Sequence, residues 1–314
     1  MEPKYAIEIK DLYKAYQDVQ AVQGVSLDIE AGSVFSLLGP NGAGKSTTIS
    51  AISGLLRPDQ GDALILGHSI TRAPLQAKAK IGVVPQEIAL YEDLTGRENL
   101  NFWGKMYGLK GAQLSQRVDA ILEMIELTDR QKDKVEKYSG GMKRRLNIGV
   151  ALLHKPQVVI MDEPTVGIDP QSRRKILDSV KELNREGMTV LYTTHYMEEA
   201  QELSNKIAIM DFGKVIAQGT HEELVQIVGE LDRIELTFST SIEDQLSAWA
   251  ALPGVKNVSP DTDKATLLVD DSDRVLPLLF ETAARDDLRI TSVTVHEPNL
   301  ETVFLHLTGR ALRE

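Results

Sequence analysis

Residues 39–47 read Gly-Pro-Asn-Gly-Ala-Gly-Lys-Ser-Thr, a match to G-x-x-x-x-G-K-S/T. Gly39, Gly42 and Gly44 let the chain curl without a Cβ in the way, so backbone N–H groups around Asn41 and Ala43 can turn towards phosphate oxygens. Pro40 fills a position the motif leaves open. Lys45 adds a full positive charge suited to the β- and γ-phosphates, and the hydroxyl of Ser46, with Thr47 behind it, is suited to Mg²⁺. A helix opening at Lys45 would add about half a positive charge from its dipole. In the run 158–163, Val-Val-Ile-Met-Asp-Glu, an apolar strand ends in two carboxylates. A buried parallel strand delivers its C-terminal residues to a ligand crevice, which places Asp162 to hold a metal's water shell and Glu163 to orient and deprotonate an attacking water. Read together, these segments predict a nucleoside triphosphate site.

The elements that must position these residues follow from periodicity. Strands are predicted at 5–9, 25–29, 34–38, 158–161 and 189–192, and helices at 46–55 and 113–127. The second helix is set by Leu114, Val118, Ile121, Leu122 and Ile125 at helical spacing. Thr95 and Glu98 form a capping-box pattern, and residues 87–145 read as a mostly helical insert between two mixed regions. A composition break falls near 229. Beyond it the order is strand (233–238), helix (242–252), strands (255–258 and 265–269), helix (274–284), strand (288–295) and helix (300–307). That suits a small split-βαβ, ferredoxin-like domain.

With 42% hydrophobic and 26% charged residues, the 314-residue chain has the composition of a globular protein of about two domains. No apolar run approaches the ~18 residues of a membrane span, and no secretory signal is visible after Met1. The absence of cysteine excludes disulfides, thiolate metal sites and cysteine nucleophiles. A net charge of −11 weighs against nucleic acid as the partner. Residues 230–314 carry 16 acidic and 8 basic residues, so −8 of that charge belongs to the C-terminal segment.

The two motifs and what surrounds them resemble the ATP-binding subunit of an ABC transporter, with 1–229 covering a full cassette and 230–314 an accessory α+β domain. Gln86 in Gly-Val-Val-Pro-Gln resembles the family's Q-loop, and Tyr138-Ser139-Gly140-Gly141-Met142 its signature. Gly167-Ile168-Asp169-Pro170 resembles the D-loop, and Thr193-Thr194-His195 the switch-histidine loop. The other five histidines have no motif around them. Tyr138, Met142 and Ile168 depart from the residues most usual there, whereas Ser139, Gly140 and Gly141 are intact. The resemblance implies an α/β P-loop NTPase fold, a mixed sheet core with a helical insert. It also implies that Tyr16 stacks on adenine and that Gln86 reports Mg²⁺ and γ-phosphate. Ser139, Gly140, Gly141 and Asp169 would face the nucleotide of a second, head-to-tail cassette. Lys45, Glu163 and His195 would carry hydrolysis, with Ser46, Gln86 and Asp162 on the metal.

Residues 297–310 resemble the ending of daunorubicin-resistance ATPases, which implies an exporter driven through a separate membrane permease, at the cytoplasmic face of the membrane. A soluble ABC ATPase acting on ribosomes or DNA is the alternative. One cassette, no sustained heptads and no cysteine weigh against it. The aromatic group Leu90, Tyr91, Phe102, Trp103, Met106 and Tyr107 reads either as core of the insert or as a groove for a permease helix.

Overall fold

The computed structural model describes residues 3–228, 231–239, 247–261, 263–286, 288–296 and 299–308. Along the chain the elements are β1 (Tyr5–Tyr16), β2 (Val19–Glu30), β3 (Val34–Leu38), α1 (Lys45–Ile52), β4 (Gln60–Ile65), β5 (His68–Ser69), α2 (Pro74–Lys78) and β6 (Ile81–Val84). There follow α3 (Gly96–Met106), α4 (Gly111–Met124), α5 (Gly140–Leu152), β7 (Val158–Asp162), α6 (Pro170–Arg185), β8 (Thr189–Thr194), α7 (Met197–Leu203), β9 (Lys206–Asp211), β10 (Lys214–Gly219) and α8 (His221–Val228). The last are β11 (Asp232–Phe238), α9 (Ser247–Ala250), β12 (Val255–Asp261), β13 (Lys264–Val269), α10 (Ser272–Arg285), β14 (Ile290–His296) and α11 (Leu300–Thr308). The described residues divide into two compact units, one up to His221 and one from Glu222, slightly before the composition break near 229.

In the first unit a sheet ordered β2-β1-β4-β5 faces a second ordered β10-β9-β3-β8-β7-β6. Pairings among β6, β7, β8, β3 and β9 are parallel, and β10 is an antiparallel edge. Alternate residues of β7 explain its unbroken apolar run: Val158 and Ile160 join the core shared with β1, β2, β4 and α1, whereas Val159 and Met161 join the core shared with the helical insert and α6. A strand covered on both faces needs apolar residues at every position. The first two strands are longer than their alternation predicted. Register shifts between Ile9 and Leu12 and between Leu12 and Tyr13, with left-handed backbone at Asp11, interrupt the period-two pattern without ending the pairing. Helix α1 stops at Ile52, short of 55, where left-handed Gly54 follows, and α4 stops at Met124, ahead of left-handed Glu126. The Thr95–Glu98 capping box is formed in both directions.

In the second unit β12, β13, β11 and β14 lie in that order and pair antiparallel, the strand order of a split βαβ fold. Ile234, Leu236 and Phe238 of β11 point into one core with Leu267, Trp249, Val275 and Leu279. Of the helix expected over 242–252, Ser247–Ala250 is helical, residues 251–252 lie beyond its end, and 242–246 lie outside the described residues.

Candidate functional site

Strands β3, β8 and β7 are neighbours, and their parallel register pairs Leu38 with Thr194 and Thr193 with Asp162. Gly39, His195 and Glu163, each the next residue along, therefore leave the sheet at the same edge. The loop after β3 turns back on itself because two glycines sit where no side chain fits. A Cβ on Gly39 would stand 2.3 Å from the Met210 carbonyl, and one on Gly44, at φ +100°, 2.4 Å from that of Ala21. Lys45 is folded into the loop it follows: its ammonium donates to the carbonyls of Gly39 (2.7 Å) and Pro40 (3.0 Å). Ala43 is buried, and its N–H returns to the Pro40 carbonyl. Gly44 caps α1 with no side-chain acceptor, so the cap itself leaves the first-turn N–H groups open to an anion.

Glu163 is the hub. It is 4% exposed, and its Oε1 lies 3.0 Å from Lys45 Nζ and 3.3 Å from His195 Nδ1, while Oε2 accepts from Gln86 Nε2 at 3.1 Å. Its backbone is left-handed at φ +43°, a conformation that costs a non-glycine residue on the order of 1 kcal/mol and persists only where the surroundings fix it. Here its N–H donates to Thr193 Oγ1 (2.9 Å) and its carbonyl accepts from Val166 N–H (3.3 Å). Asp162 Oδ1 accepts from both Ser46 Oγ (3.2 Å) and Thr193 Oγ1 (2.7 Å). A cleft of about 450 Å³ opens over this group, lined by Asn41, Gly42, Gly44, Lys45, Ser46, Thr47, Gln86 and Glu163, with Tyr16, Val19 and Phe212 at its outer side. Tyr16, 48% exposed, presents its ring there at the end of β1.

Ser139, Gly140, Gly141 and Asp169 lie apart from that lining. They form a second cluster. Ser139 caps α5 by accepting from Met142 N–H (3.3 Å), and Asp169 caps α6 by accepting from Ser172 N–H (2.9 Å), which holds the Asp169 carboxyl below the usual carboxylate range. The two helix starts touch, since a Cβ on Gly141 would overlap the Ser172 side chain. The basic residues that follow this helix start, Lys143, Arg144 and Arg145, are engaged within the chain. Lys143 pairs with Glu92 at 2.5 Å, Arg144 donates to the carbonyls of Pro85 (2.7 Å) and Gln86 (2.6 Å), and Arg145 to that of Ile125 (2.6 Å). The aromatic group divides. Leu90 and Trp103 pack on the core of the insert, whereas Tyr91, Phe102, Met106 and Tyr107 are exposed, with Tyr91 edge-on to Phe102 at 4.9 Å.

Sequence reasoning did not reach Phe212 or Glu199, and gave Thr193 and Arg144 no bonding partner. Thr193 carried a usable signal: a hydroxyl in a buried strand, two residues before the switch histidine, must find an acceptor. Arg144 and Glu199 are joined to their partners by bonds spanning up to 59 residues, which spacing does not reveal.

Comparison with known proteins places this geometry in a family. The ABC transporter family profile matches residues 22–166. The linearmycin resistance ATP-binding protein of Bacillus subtilis (strain 168) is 49% identical over 312 residues, covering 98% of this chain and 100% of that protein. The daunorubicin/doxorubicin resistance ATP-binding protein of Streptomyces peucetius is 39% identical, covering 98% and 94%. Among solved structures, the ATP-binding subunit of an ABC transporter superposes with TM-score 0.65 at 32% identity, covering 71% of this chain and 93% of that one. An ATP-binding cassette in a dimeric post-hydrolysis state bound to ADP and Pi gives TM-score 0.62 at 28% identity, covering 68% and 98%. The chain, with its glycine loop around Lys45, the carboxylates at the end of β7 and the histidine at the end of β8, belongs to the ATP-binding subunits of ABC transporters.

Proposed function

We propose that this chain hydrolyses Mg²⁺-ATP in a head-to-tail homodimer and drives an exporter whose pathway is a separate membrane permease, with drugs, antibiotics or lipophilic compounds as the transported class. The observation that carries the reading is the likeness over the full length to a linearmycin resistance ATP-binding protein, with a daunorubicin/doxorubicin resistance relative beside it. Residues 1–229 act as the cassette and 230–314 as an accessory domain, at the cytoplasmic face of the membrane. Among the described residues no helix is long and apolar enough to cross a membrane.

In this reading the 39–47 loop and the start of α1 hold the phosphates, with Lys45 on the β- and γ-groups and Tyr16 stacked on adenine. Ser46 Oγ and Asp162 Oδ1, 3.2 Å apart, form a hard-oxygen pair that fits Mg²⁺, which takes one or two protein oxygens beside phosphates and water; Gln86 stands on the other side of Glu163. The ion would neutralise charge on the phosphate oxygens. Glu163 takes a proton from water as the water oxygen bonds to the γ-phosphorus and the bridging bond to ADP breaks, with Lys45 and His195 stabilising the developing charge. Ser139, Gly140, Gly141 and Asp169 of each chain face the nucleotide of its partner. The exposed rings of Tyr91, Phe102 and Tyr107 offer a surface to a short permease helix.

Co-expression with a membrane permease from the same genome tests the assembly. The chain should be retained in washed membranes only in its presence, and drug tolerance should require Glu163. Retention without any permease, or tight binding to ribosomes, would refute it.

A further inference from the structure

Glu199, in the first turn of α7, has no role in the scheme above, yet it is 1% exposed and accepts four hydrogen bonds. Its Oε1 takes Thr165 Oγ1 (2.7 Å) and Arg173 Nε (2.7 Å), and its Oε2 takes Thr194 Oγ1 (2.8 Å) and Tyr192 Oη (2.9 Å). A carboxylate this deeply buried is strongly unfavourable unless its lone pairs are filled and its charge is matched, and both conditions are met here, the second by Arg173. Burial raises the Tyr192 phenol well above its ordinary value, so it stays a donor.

The four donors come from three parts of the site: Tyr192 and Thr194 from β8, Thr165 from the loop after β7 and Arg173 from α6. Thr165 lies two residues past Glu163, and Thr194 immediately precedes His195. Arg173 sits in the first turn of α6, where its N–H donates to the Asp169 carbonyl at 2.8 Å. The Arg173 guanidinium also covers the Tyr196 ring at 4.3 Å, and that ring lies 4.2 Å from His195. The sheet ladder ends at Asp162 and Thr194, so the residues beyond it have no ladder to space them. The Glu199 carboxylate bridges the two loops at this gap.

We propose that Glu199 is a positioning residue that holds the segments carrying Glu163, His195 and Asp169 in mutual register, and so maintains the 3.3 Å approach of His195 Nδ1 to Glu163 Oε1. It acts through Thr165, Thr194 and Arg173 and touches no reacting atom. The inference rests on the roles given above to Glu163 and His195.

Glu199→Gln keeps the size of the side chain. The Thr194 and Tyr192 hydroxyls can rotate to accept from its amide while Arg173 and Thr165 still find the amide oxygen, so the fold should survive with the charge match lost. In the full-length chain kcat for ATP should fall 10- to 100-fold while KM for ATP stays within threefold. Arg173→Gln, at the exposed side of the network, should lower kcat three- to tenfold, also at constant KM, and decides the matter if Glu199→Gln does not fold. Turnover within twofold of wild type in the folded variants, or kcat/KM losses residing in KM, would overturn the proposal. Glu163→Gln runs beside them. Its inactivity together with full turnover in Glu199→Gln defeats the positioning role alone, whereas turnover retained in Glu163→Gln defeats the base assignment and the positioning role with it.

Discussion

Replacing Glu163 by Gln changes one charge in a group of four interacting side chains, and the structure separates its two consequences. The first is chemical. A positioned general base contributes about 10²–10⁴-fold, or about 3–5.5 kcal/mol of barrier, so turnover should drop by that factor. The second concerns binding. Lys45 Nζ and Glu163 Oε1 are 3.0 Å apart and both residues are 4% exposed. Their gross attraction at an effective dielectric of about 20 is about 5.5 kcal/mol, much of it offset by desolvation. An incoming phosphate must draw Lys45 away from this carboxylate, whereas the Gly39 and Pro40 carbonyls would still hold the ammonium in the variant. Recovering a quarter of the gross term corresponds to about tenfold tighter ATP binding. Single-turnover phosphate release and equilibrium titration with a fluorescent ATP analogue, both on the full-length chain, read the two effects separately. Turnover within tenfold of wild type would refute Glu163 as the base. A tenfold or greater loss of ATP affinity would refute the competition between Glu163 and phosphate for Lys45.

Arg144→Lys should destabilise the first unit by about 2–3 kcal/mol in urea titrations and lower turnover, because a single ammonium cannot reproduce the fork that holds both the Pro85 and Gln86 carbonyls. Equal stability of the two proteins would show that the fork is dispensable. His154, stacked on Tyr107 at 4.2 Å and donating from Nε2 to the Ile81 carbonyl at 2.9 Å, has its pKa lowered by burial. The unfolded chain therefore takes up that proton first. The neutral ring's stabilisation is complete above the unfolded pKa of about 6.5 and is lost as pH falls below it towards the lower folded value, with a slope of at most about 1.4 kcal/mol per pH unit. Denaturation of wild type and His154→Phe between pH 7.5 and 5.5 should show this component in the former and not in the latter.

The cluster around Glu163 was legible because each of its segments is contiguous: a glycine loop between strand and helix, two carboxylates ending an apolar strand, and a histidine following another. Local sequence records local geometry, and parallel pairing turns three such segments into one edge. What escaped is what joins them. Arg144 reaches the Gln86 loop from α5, and Glu199 gathers donors from β8, α6 and the loop after β7. Such bonds leave no period in the sequence, because each partner is chosen by the fold. The long first hairpin escaped for a different reason: bulges near Asp11 shifted the alternation while the strands remained paired.

The register of β3, β8 and β7 also bears on how such a protein can change over generations. The spacing of Leu38, Asp162, Thr193 and Thr194 is inherited from backbone hydrogen bonds between neighbouring strands, so the edge on which the site is built is set by the sheet and is largely indifferent to the length of the connections elsewhere. An insertion within β7 or β8 would move Asp162 off Thr193 and turn neighbouring side chains to the opposite face at once. The same insertion in the turn between α3 and α4 would leave the pairing of β3, β8 and β7 untouched. The insert is thereby free to vary while the sheet edge that carries Asp162, Glu163 and His195 keeps its spacing.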